Sequence, residues 1–218
     1  MSWSLGETRS LAFKAARGAG MAWGLAEEMS DAVVWLQGRG LPGVSNLCRY
    51  LSWYHPSKLL FPKSAEEINE DNNIPYCPII VGTAISDGLI KIPIGVNTDV
   101  SLGLLRQPLL LLPFVSASVP DDYGLYVGNI LVSIALGKEK LKSYLDISDV
   151  LLIDEAECFI RPVSNALPNS QFKATSLRLP GCYGGCIAVL NVFANKTYAP
   201  ATELSRSAGA GADSIDDD

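Results

Sequence analysis

A helix–glycine–helix run at the start of the chain constrains this fold more than any other feature. All four tryptophans, Trp3, Trp23, Trp35 and Trp53, fall in the first quarter of its 218 residues. Ser4-Leu5-Gly6-Glu7 has the form of a capping box, in which the serine accepts from the first turn and the glutamate reaches back. Leu5, Thr8, Leu11, Ala12, Ala15 and Ala16 then recur at helical spacing. Gly18 and Gly20 stop that helix. A second runs from about Ala22 to Gln37, with Leu25, Met29, Ala32, Val33 and Leu36 on one face, and ends at Gly38 and Gly40 before Pro42. A third spans Val44 to Trp53. The break itself, Arg17-Gly18-Ala19-Gly20-Met21-Ala22-Trp23-Gly24, sets small residues and a large ring beside a cation. That composition fits close helix packing, and it also fits one wall of a binding site.

Three helices with one apolar stripe cannot bury it alone, so the unit must dock on something else. After an acidic stretch, Pro62 to Asn73, the texture changes. Cys77 to Ile85 and Pro108 to Val115 are short apolar runs bounded by Pro, Gly and Asp, which suits buried strands. Val150 to Ile153 and Phe172 to Leu177 are shorter strand candidates. Asn129 to Leu136 allows strand or helix, and Cys186 to Lys196 reads as a helix. The expected fold class is α+β. A three-helix N-terminal unit (residues 1–60) packs on a mixed β-sheet region (75–204) carrying a C-terminal helix, within one globular domain over 1–204. Residues 205–218 form a glycine-rich acidic tail.

Composition excludes several functions. The net charge of −6 comes largely from the tail, where Glu203, Asp213, Asp216, Asp217 and Asp218 oppose Arg206 alone. Residues 4–53 carry five cations against four anions, too balanced to track phosphates, so a nucleic-acid partner is not expected. The longest suspicious segment is Leu102 to Val119, and its uninterrupted apolar part, Pro108 to Val115, is far short of the roughly 20 residues of a membrane span. The opening Met-Ser-Trp-Ser-Leu-Gly-Glu has no cationic stretch or apolar core of a signal peptide. Five cysteines, an odd number, read as free thiols. The expected location is the cytoplasm.

The candidates for chemistry are few. His55, the only histidine, lies beside Pro56 at a helix end and reads as a surface or capping residue. Cys182 and Cys186 stand four positions apart, but a structural zinc site usually needs four ligands and the other cysteines offer no matching spacing. They read as small buried residues opening a helix, and no metal or cofactor is expected. Gly18-Ala-Gly20-Met-Ala-Trp-Gly24 echoes a dinucleotide fingerprint, yet that motif must follow a strand, and here it follows a helix. Asp154-Glu155-Ala156-Glu157 offers paired carboxylates, although a solvated turn after a strand is the commoner meaning. Asp87 ends an apolar run, where strand ends often meet ligands. In the tail, Thr202-Glu203-Leu204-Ser205-Arg206 followed by Gly209-Ala210-Gly211 has the makings of an anion-binding nest with an arginine beside it.

Two stretches resemble a known family. Lys14-Ala-Ala-Arg17-Gly-Ala-Gly20-Met-Ala-Trp23-Gly24-Leu-Ala-Glu27-Glu28, with Val34-Trp35-Leu36 and Gly40-Leu41-Pro42-Gly43, is one. Thr197-Tyr198-Ala-Pro200-Ala-Thr202-Glu203-Leu-Ser205-Arg206-Ser-Ala-Gly209-Ala-Gly211 is the other. Both are similar to an uncharacterised bacterial family catalogued as domain of unknown function 3726. The resemblance implies no reaction, ligand or fold, but it favours an ordered tail.

The expected function is binding of a small, anionic metabolite. Arg17, Trp23 and Glu27 come from the helix corner, Asp87 from a strand end, and Ser205, Arg206, Gly209 and Gly211 from the tail. Whether catalysis follows is open. The competing expectation is a non-catalytic interaction subunit packing on a partner enzyme, or on a second copy of itself, through its Trp-rich helices.

Overall fold

The computed structural model describes residues 3–56, 74–92, 99–120, 123–134, 153–162 and 182–198. The three expected N-terminal helices are present: α1 (Leu5–Gly18), α2 (Trp23–Gly38) and α3 (Gly43–Trp53). The capping box opens α1 as read. The Glu7 amide donates to the Ser4 hydroxyl at 3.2 Å and the Ser4 amide donates to the Glu7 carboxylate at 2.8 Å. The Ser4 backbone and hydroxyl donors hold the Glu7 pKa below its usual value. A carboxylate depressed in the folded state lends its stabilisation above its unfolded pKa, and that contribution fades as acid protonates it.

Two sharp corners join these helices. Met21 N–H reaches back to the Ala16 carbonyl (3.1 Å) and Leu41 N–H to the Leu36 carbonyl (2.9 Å). Gly20 and Gly40 carry the positive φ, 95° and 73°, that such helix ends require.

The two apolar runs expected as strands are helices. Pro78–Ser86 forms α4, and Pro108–Leu111 is a 3-10 turn leading into α5 (Leu112–Ser118). Periodicity cannot tell a buried helix from a buried strand when every position is apolar. Here proline decides. Pro78, Pro108 and Pro113 all occupy first-turn positions, where a missing N–H costs nothing and the fixed φ favours the helix. Nearly all of α4 is buried, as expected of a helix apolar all round.

The sheet has four strands: β1 (Val100–Arg106), β2 (Tyr123–Val127), β3 (Ile130–Ile134) and β4 (Glu155–Pro162), ordered β1-β4-β2-β3. Every strand pairing is antiparallel, so the mixed character expected of it is limited to one isolated parallel bridge, Tyr76 with Leu105. The ambiguous run from Asn129 contains β3, joined to β2 by the tight turn at Gly128-Asn129. Gly103, with φ of 70°, accompanies a register shift between β1 and β4, the role of a bulge glycine. The strand expected at Val150 to Ile153 lies largely outside the described residues. The described strand starts two places later, at Glu155, so Asp154-Glu155-Ala156-Glu157 enters a strand and is not a turn after one. The Phe172–Leu177 expectation and residues 205–218 also lie outside.

The last described helix, α6 (Cys182–Asn195), begins four residues before the expected start. It seats on α1 and α3, while α4 and α5 lie between the sheet and α2. The architecture is α+β in three layers. The helical unit meets the sheet mainly through the intervening helices, and one apolar cluster runs from Leu11 to Ala194.

Gly18 marks the closest approach between α1 and α6. A methyl group there would overlap the Phe193 carbonyl oxygen and stand 2.7 Å from its carbon. An exposed ion pair, Arg9 with Asp31, spans α1 and α2. Both partners are more than half exposed, so its stabilisation is at most about 1 kcal/mol.

Candidate functional site

The helix corner brings together two of the residues singled out from the sequence. One guanidinium nitrogen of Arg17 donates to the Met21 carbonyl, and the guanidinium carbon lies 5.6 Å from the centre of the Trp23 ring. The first contact closes the turn, and the second is a cation–π contact. Arginine carries five N–H donors, and among the described residues only the Met21 carbonyl accepts from Arg17. Phe13 meets Trp23 edge-on at 5.0 Å. Trp23 is nevertheless 61% exposed, an uncommon setting for a tryptophan. Glu27 follows one turn later on α2 and is exposed.

The C-terminal end of the described chain comes to this face. Lys14 Nζ donates to the Tyr198 hydroxyl at 3.0 Å and sits 5.2 Å from the ring centre. Lys14 and Arg17 are three positions apart on α1 and so neighbours on its surface. Ser205, Arg206, Gly209 and Gly211 lie outside the described residues.

Asp87 stands elsewhere. It caps the C-terminus of helix α4, its amide donating to the Thr83 carbonyl at 2.8 Å. Its carboxylate is exposed, with no contact among the described residues to Arg17, Trp23 or Glu27. The argument that placed it at a strand end fails because the preceding run is helical.

Sequence reasoning missed a second polar cluster. Gln107 joins β1 to the 3-10 turn in the left-handed conformation (φ 47°, ψ 62°) and is completely buried. Its amide N–H donates to the Asp154 carbonyl (2.6 Å) and its side-chain nitrogen to the Asp154 carboxylate (2.5 Å). Arg49, from α3, lies 3.6 Å from that carboxylate. Next door, Arg106 pairs with Glu155 and stacks over Trp53 at 5.5 Å. Asp154 and Glu155, read as carboxylates for acid–base work, are thus both held by arginines. The Gln107 side-chain oxygen and Arg106 Nε are buried and find no hydrogen-bond partner among the described residues. The only local hint was Arg106-Gln107-Pro108, a polar pair closing an apolar strand before a proline.

Burial dominates the thiol chemistry. It pushes the Cys77 and Cys158 pKa values well up, and both remain protonated and shielded. Among the described residues, no three His, Cys, Asp or Glu side chains gather into a metal site. No described helix is long and apolar enough to cross a membrane.

No curated protein and no solved structure matches this chain. A family model does, over residues 3–74, about a third of the sequence. It covers the first of the two stretches that carry the resemblance and includes the whole α1–α3 unit. The family that those residues match is described as Protein of unknown function (DUF3726).

Proposed function

We propose that this is a cytoplasmic protein, bacterial like the family it resembles, that binds a small anionic metabolite at the α1–α2 corner. Arg17 supplies charge, Trp23 a flat apolar face and Glu27 a polar orienting group. Ser205, Arg206, Gly209 and Gly211 close over them as an anion-binding nest. The single observation that carries this reading is the seating of Tyr198 on Lys14, which starts the tail beside the corner. Eight further residues reach Arg206. Fully extended they span about 26–29 Å, ample to fold back across one turn of α1. Asp87 drops out of this site because it ends α4.

The interaction-subunit reading has less support. Trp3, Trp35 and Trp53 pack against the protein's own core, leaving Trp23 as the one strongly exposed tryptophan.

Thermal unfolding with inorganic phosphate, succinate and benzoate tests the proposal. At about a hundred times its Kd, a true ligand should raise Tm by roughly 5–10 °C, and Arg206→Ala should remove most of that shift without lowering the unliganded Tm. Equal shifts in the parent and in Arg206→Ala would reject a tail-closed site.

A further inference from the structure

We propose that Cys48 and Cys186 form a peroxide-responsive disulfide that fastens α6 to α3. The two helices pack directly, Cys186 packs against the apolar cluster that contains Cys48, and the two thiols are near enough for each to bear on the other's ionisation. Both are reduced here. Their exposures differ in a useful way, since Cys48 is buried and Cys186 is partly open. Two further cysteines, Cys77 and Cys158, are shut inside the core.

The difference in exposure assigns the order of steps. The Cys186 thiol gives up its proton, its sulfur attacks a peroxide oxygen, the O–O bond breaks, and a sulfenic acid forms while the departing hydroxide takes up that proton as water. Cys48 sulfur then attacks the Cys186 sulfur. The S–S bond forms, the S–O bond breaks, and hydroxide leaves with the thiol proton as a second water. The two sulfurs together give up two electrons and reduce one peroxide. Burial in particular, and the neighbouring Cys186, push the Cys48 pKa up to about 12, so Cys48 is a poor first target. It acts as the resolving group, and closure should accelerate as pH rises through the neutral and alkaline range.

The bond would join residues more than half the chain apart. Removing that much loop freedom from the unfolded state should raise Tm by about 5–10 °C. It would also pin the helix from which the tail departs.

The test treats the full-length protein with equimolar hydrogen peroxide, alkylates remaining thiols under denaturing conditions, and maps peptides without reduction by mass spectrometry. The expected product links the Cys48 and Cys186 peptides with loss of two hydrogens, reverts with dithiothreitol and persists in Cys182→Ser. A link between Cys182 and Cys186 instead would overturn the proposal. So would Cys186 sulfinic acid formed while Cys48 still alkylates.

Discussion

Replacing Gly18 with alanine should destabilise the protein by about 3 kcal/mol or more, although alanine is the better helix former. Propensity alone favours the change by about 1 kcal/mol. The added methyl, however, would overlap the Phe193 carbonyl, and backbone cannot swing aside as a side-chain tip can. Helix α6 would have to back off α1, opening gaps around Ala15, Leu190 and Ala194, all buried. Overpacking of this kind typically costs 1–3 kcal/mol and more where backbone must move. Gly24→Ala is the matched control. Nothing lies within 4 Å of a methyl there, so it should be neutral or stabilise by a few tenths of a kcal/mol. Urea denaturation of the three proteins decides the matter. Equal stabilities would mean that α6 does not seat on α1 as described.

Gln107 gives the second large effect, with an inverted order of substitutions. Gln107→Ala deletes the hydrogen bond to Asp154, leaves a hole in a fully buried position and keeps a side chain in the left-handed region. A loss of about 2–4 kcal/mol is expected. Gln107→Gly loses the same contacts but relieves the backbone. At an ordinary position glycine is the worse replacement, by roughly 0.5–1 kcal/mol. Here it should be the better one by about 1 kcal/mol. Glycine proving less stable than alanine would show that the left-handed turn at Gln107 is absent.

How far these features could be read in advance depends on whether their causes are local. The Ser4–Glu7 cap, the glycine stops at Gly20 and Gly40, and the stripes of α1 to α3 are set by residues within a few positions of one another, and each was legible. The apolar runs at 77–85 and 108–115 were not, because burial on all sides erases the periodic contrast that separates helix from strand. The first-turn prolines at 78, 108 and 113 were the overlooked signal, since proline is at home there and poorly placed inside a central strand. The Gln107 cluster was illegible for another reason. Asp154 and Arg49 reach it from distant parts of the chain, and nothing near Gln107 announces them. The small residues around Gly18 did suggest close packing, but their partner, Phe193, lies almost at the other end of the described chain.

That last separation bears on how the protein is made. A ribosome releases α1, α2 and α3 long before α6 exists, and β4, the inner neighbour of both β1 and β2, also emerges late. Until then the nascent chain carries an uncovered apolar stripe and two strand edges, the surfaces that chaperones engage and that drive aggregation. Both halves of the molecule therefore wait for β4 and α6, and assembly is completed only after both have emerged.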